Sequence, residues 1–137
     1  MANHDTTKLL VIDHDTIGDD FVKLILNPAG YDVLTVYSNC DGIKSARSWK
    51  PDVIILNLML PSSNGWQVCQ DIRKFSKVPI LILSAVSDPN SIARWLDAGA
   101  DDYLTKPVST EVLVAHLHNL TRRTNTNQSF PSISILR

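Results

Sequence analysis

Several residues with reactive or ligating side chains stand where an apolar run gives way to polar sequence. Asp13, His14 and Asp15 follow Leu9-Leu10-Val11-Ile12; Asn57 follows Val53-Ile54-Ile55-Leu56; Ser84 follows Ile80-Leu81-Ile82-Leu83; Lys106 follows Asp102–Thr105. Paired with His14, Ser84 would be a nucleophile beside a base, but no G-x-S-x-G elbow surrounds it. The chain has no P-loop and no G-x-G-x-x-G, so nucleotide binding through those motifs is not expected. The imidazole of His14 suits Zn²⁺ or Cu²⁺ better than Mg²⁺. One His between two Asp is also a common accident on a loop. Taken singly, each of these residues is explained well enough as a polar residue that ends a strand or caps a helix.

Their placement follows from the elements around them. The three four-residue apolar runs are rich in Ile and Val and read as strands buried on both faces, which implies a parallel sheet. Tyr31–Tyr37 and Asp102–Thr105 are mixed and read as outer strands. Helical patterns lie between the strands. Ile17, Phe21, Leu24 and Ile25 form one stripe over 16–27, stopped by Asn27-Pro28-Ala29-Gly30. Further helices are expected over 41–49, 65–75, 89–98 and 109–122. Asp88 and Pro89 start the fourth, and Ser109 or Thr110 caps the last. The order βαβαβαβαβα predicts an α/β doubly wound fold with a five-stranded parallel sheet. In such sheets ligands gather at the carboxyl ends of the strands, where the polar residues stand.

The composition limits the function classes. The chain has 137 residues, 44% hydrophobic and 20% charged, which fits one globular domain. With 13 basic and 14 acidic residues the net charge is −1, so no global field holds nucleic acid or an anionic membrane. A local basic patch remains compatible with that balance. Cys40 and Cys69 form no framework and read as reduced thiols. The first residues carry no signal-peptide core, and no run is long enough to span a membrane, so a cytoplasmic location is expected.

From Leu9 to Arg123 the sequence resembles the receiver domain of bacterial two-component response regulators, in the winged-helix transcription-factor class. The matching segments are LLVIDHD, PDVIILNLMLPSSNGWQV, VPILILSA and GADDYLTKP, in the family's order and spacing. The resemblance implies a flavodoxin-like, CheY-like (βα)5 sandwich. It also implies a phosphorelay role with no enzymatic activity of its own, in transcription regulation and with a sensor kinase or other regulatory protein as partner. In the family an Asp ending the third strand accepts a phosphoryl group, and two acidic residues after the first strand help bind Mg²⁺. A hydroxyl after the fourth strand and a Lys after the fifth contact the phosphoryl oxygens. An aromatic on the fifth strand swings inward. Ser84 matches the hydroxyl position, Tyr103 the aromatic, Lys106 the lysine and Asp13 the first acid; Met59 would lend its carbonyl to the metal. Residues 124–137 read as a linker or the start of a C-terminal effector domain, the only part expected to touch DNA.

Two positions depart from the family pattern. Asn57 stands at the phosphoacceptor and His14 at the second acidic position. An amide has no anionic oxygen and forms no acyl phosphate by the family's route. Two negative charges are lost from the cation site, with Asp15 the only stand-in. The expectation is a degenerate site at Asp13, His14 and Met59 that takes no Mg²⁺ unless the acidic pocket is restored. An Asp13–Lys106 pair bridged by Asn57 is expected in its place. The competing explanation is an ordinary phosphoacceptor receiver with an engineered Asp-to-Asn change at 57.

Family receivers of this class pair through the fourth helix, fifth strand and fifth helix. Here the matching charged positions are Ile92 and Val112, with His116 in place of an arginine. Ala93, Leu96 and Val114 would keep an apolar patch beside Trp95, with Ala93 and Leu96 marking the core-facing side of the helix. Asp102, Asp97 and Arg122 would be available for ion pairs. These residues predict a hydrophobic homodimer, or a docking face for another protein.

Overall fold

A computed structural model describes residues 6–14, 26–58 and 65–129. The predicted helix over 16–27, with its stripe from Ile17 to Ile25, lies almost wholly outside the described residues, as do Asp15 and Met59. Five strands form one parallel sheet: β1 (Thr7–Asp13), β2 (Tyr31–Val36), β3 (Val53–Leu58), β4 (Ile80–Ser84) and β5 (Asp102–Thr105), in the order β2-β1-β3-β4-β5. The described helices are α1 (Asn39–Ser48), α2 (Gly65–Arg73), α3 (Pro89–Asp97) and α4 (Thr110–Ser129).

The central strands are apolar on both faces because both faces are covered. Leu10, Ile12, Ile54, Leu56, Ile80 and Ile82 pack with Ala46, Val68, Cys69, Ile72 and Trp95 on one side. Leu9, Val11, Val53, Ile55, Leu81 and Leu83 pack with Leu113, Leu117 and Leu120 of α4 on the other. Each buried Leu or Ile contributes roughly 1.5–3 kcal/mol by leaving water.

Local signals set the helix ends. Ser38 Oγ accepts from Asp41 N at 3.1 Å, Asp88 Oδ2 accepts from Ser91 N at 3.1 Å with Pro89 behind it, and Ser109 Oγ accepts from Val112 N at 3.2 Å. Of the two candidate caps for the last helix, Ser109 is the one used. Gly42 lets α1 lie close on β1: a Cβ there would stand 2.5 Å from Ile12 Cδ1. Arg73 clamps the far end of the sheet. Its guanidinium donates to the carbonyls of Ser76, Val78 and Gly99 and, at 2.7 Å, to Asp101 Oδ2, which also accepts from Ile80 N.

One expected boundary moves. The last helix does not stop near 122 but continues to Ser129, so the first part of the expected linker is helical. The apolar stripe ends near Leu120, and the helix continues without it; an apolar stripe reports burial, and helical backbone does not require one.

Candidate functional site

Strand register brings the polar residues together at one rim. Asp13 ends β1 directly opposite Asn57 on β3, and Leu58 stands opposite Ser84, the last residue of β4. Lys106 follows β5, and its N–H donates to the Ser84 carbonyl at 2.8 Å. Asp13, Asn57 and Ser84 are the buried polar residues among the largely apolar core.

The side chains form a relay of alternating polarity. Lys106 Nζ donates to Asn57 Oδ1 at 2.9 Å, and Asn57 Nδ2 donates to Asp13 Oδ1 at 3.1 Å. A carboxamide is matched to this place, since its oxygen meets the cation and its N–H meets the anion. A carboxylate at 57 would set two buried anions side by side, which disfavours the charged form of both. The bridge expected between Asp13 and Lys106 is therefore present.

His14 makes contacts to β3 and to the start of α1. Its backbone N–H donates to the Asn57 carbonyl at 2.9 Å, and its Nε2 lies 2.7 Å from Asn39 Oδ1 at the start of α1. Among the described residues no three His, Cys, Asp or Glu side chains gather as a metal site. Asp15 and Met59, the other candidate ligands, lie outside the described residues. The one carboxylate of the pair accepts an amide N–H, and the imidazole is engaged with α1.

Ser84 and Tyr103 flank a small cavity of about 30 Å³ lined also by Leu58, Trp66, Val86, Ser91 and Trp95. Ser84 Oγ accepts from Val86 N at 3.1 Å, and the Tyr103 hydroxyl donates to the Val86 carbonyl at 2.6 Å. The loop after β4 is thus held to both residues through Val86. The sequence carried no signal for the contacts of Asn39 with His14, Val86 with Tyr103 or Trp66 with Trp95, because they cross between elements distant in the chain.

The face formed by α3, β5 and α4 differs from expectation in three ways. Trp95 contributes nothing to an exposed patch; it is 5% exposed and packs edge-on against Trp66 at 5.9 Å. Ala93 and Leu96 do not mark the core-facing side of α3: both are exposed, Leu96 at 43%, because Trp95 fills the core position of that helix. Asp102 finds its partner within its own chain. Its Oδ2 lies 2.6 Å from His116 Nδ1 of the same chain, and its Oδ1 accepts from Tyr103 N. Val112 is 43% exposed, Ile92 is half-buried, and Val114 packs against the α4-side core.

The family profile for the response regulator receiver domain matches residues 9–118. The response regulator ArlR of Staphylococcus aureus is 40% identical over 117 residues, covering 85% of this chain and 53% of that protein. The chain thus spans about half the length of the curated relatives it matches. Among solved structures, a two-component response regulator from Clostridium difficile superposes with a TM-score of 0.80 at 33% identity, covering 88% of this chain and 99% of the other. The receiver domain of the sensor histidine kinase PA1611 from Pseudomonas aeruginosa, solved with a magnesium ion coordinated in its active-site cleft, gives 0.76 at 25% identity, covering 85% and 98%.

Proposed function

The chain belongs to the response regulator receiver domain family of two-component signalling, and we propose that within it this receiver acts without phosphorylation of residue 57. The carrying observation is the Lys106–Asn57–Asp13 relay. In it the amide satisfies the lysine and the aspartate together and leaves no anionic nucleophile at the acceptor position. With neither a phosphoryl group nor Mg²⁺ to gain, the rim holds one arrangement, and signalling passes through protein contacts in the cytoplasm. The α3–β5–α4 face supports this reading, since Ala93, Leu96 and Val112 are exposed while its carboxylate Asp102 is matched within the chain. A second copy is the partner proposed for that face; a sensor kinase or another regulator is the alternative. The module has no catalytic role in this reading, and DNA regulation would belong to a further domain.

The test restores the acceptor. Asn57→Asp, offered Mg²⁺ and a small phosphodonor, is expected to take up phosphate far more slowly than an ordinary receiver, because His14 still occupies the second acidic position. Asn57→Asp combined with His14→Asp is expected to recover uptake. Rapid phosphorylation of the single variant would sink the proposal and favour a receiver silenced only at 57.

A further inference from the structure

The near-neutral total conceals a segregation of charge. Between residues 44 and 77 stand six Lys or Arg against two Asp, while between 78 and 111 stand two against five Asp or Glu. The fold gathers the first set around α1 and the end of α2. Arg47 of α1 lies with its guanidinium 4.5 Å from the Phe75 ring centre; Lys44 and Lys50 flank Arg47 in the chain, and Lys74 and Lys77 flank Phe75. Lys8 joins them, its Nζ donating to the Trp49 carbonyl at 2.8 Å and lying over the Trp49 ring.

Of the carboxylates of this region, Asp41 is exposed in the first turn of α1, and the other two are engaged. Asp52 Oδ2 accepts from Lys8 N, and Asp71 pairs with Lys74 at 3.2 Å. Lys44, Lys50 and Lys77 are exposed and make no hydrogen bond or ion pair among the described residues; Arg47 has only the Phe75 ring. Lys50 adds an independent sign. It holds a left-handed backbone, φ 53°, just after the C-cap Trp49 of α1. Glycine or asparagine is the usual residue there. A lysine at that place keeps a charge on the patch against the backbone's preference.

From these observations we infer that the α1–α2 face, through Lys44, Arg47, Lys50 and Lys77, binds the phosphate backbone of nucleic acid without reading its sequence. Exposed lysines suit evenly spaced phosphates, which need only cations, better than a structured peptide, whose side chains need pockets. The inference is independent of the proposal for residue 57. It departs from the expectation that only a further domain meets DNA, because the fold concentrates cations that the total charge hides.

The test uses the whole 137-residue chain and a fluorescent mixed-sequence 20-base-pair duplex, read by anisotropy. Four phosphate contacts predict a loss of about 100-fold in affinity between 50 and 200 mM salt. The triple variant Lys44→Glu, Lys50→Glu, Lys77→Glu, which leaves the Arg47–Phe75 stack in place, is expected to lose binding by at least ~30-fold. Arg122→Glu on α4 is expected to change nothing. Lys50→Gly separates function from structure: the melting temperature holds or rises, while affinity falls and the salt slope shrinks by about one. The inference is overturned if no binding is seen at 50 mM salt, or if the triple variant binds like the parent. It is equally overturned if a poly-glutamate peptide binds the patch more tightly than the duplex, which would assign the face to an acidic protein segment.

Discussion

Asn57 carries the reading of the rim because an amide and a carboxylate of the same size do opposite things there. Between Lys106 and Asp13 the amide donates once and accepts once. Cys69 gives a prediction of a different kind. Burial pushes its thiol up to about 12, with nearby Arg73 pulling slightly down and Asp101 pushing up. Its folded-state pKa lies above the unfolded one, so its contribution is fully present below about pH 9 and is lost as pH rises toward 12. Burial raises the Tyr31 phenol in the same direction. Stability to urea is expected to fall by a few kcal/mol, in order of magnitude, across pH 9 to 12. Cys69→Ala should flatten that fall even though it costs packing at neutral pH. An equally steep alkaline loss in Cys69→Ala would show that the thiol is not its source.

Gly42 marks a close approach of α1 to β1. Alanine favours a helix over glycine by about 1 kcal/mol, so propensity alone predicts that Gly42→Ala stabilises α1. The Ile12 side chain stands where the new methyl would go, and overpacking costs about 1–3 kcal/mol. A net loss of about 1–2 kcal/mol in chemical unfolding is expected, and Ile12→Val in the same chain should recover part of it. A more stable single variant would mean that α1 slides outward at little cost. The helix ends at Ser38, Asp88 and Ser109 were legible because caps are local chemistry, a side-chain oxygen within three residues of an orphan N–H. The far end of α4 was not, because an apolar stripe reports packing and not helicity.

At the scale of the molecule, the chain carries an exposed apolar face and a basic face on different helices. Leu96 and Val112 are each 43% exposed on the α3–β5–α4 side. If that side pairs with a second copy, light scattering at micromolar concentration shows a dimer, and Leu96→Lys with Val112→Lys reduces it to a monomer with an unchanged melting temperature. A dimer that survives both substitutions would place the contact elsewhere. No described helix is long and apolar enough to cross a membrane.

The sequence alone determined the alternation of strands and helices, the parallel sheet, and the identities at the rim, because burial on both faces and capping are written in short stretches of residues. It also showed that positions 14 and 57 carry His and Asn where the family pattern has acids. Only the tertiary structure decided how those residues meet: Asn57 between Lys106 and Asp13, His14 against Asn39, Asp102 against His116. Helical period alone could not choose between Trp95 and its neighbours for the core side of α3, and β-strand register set residues 44 apart in sequence, Asp13 and Asn57, side by side. The basic face arose the same way, since Arg47 and Phe75 become neighbours only when α1 and α2 pack. Contacts between distant segments depend on the whole arrangement of the sheet and its covering helices, and no local stretch of the chain encodes them.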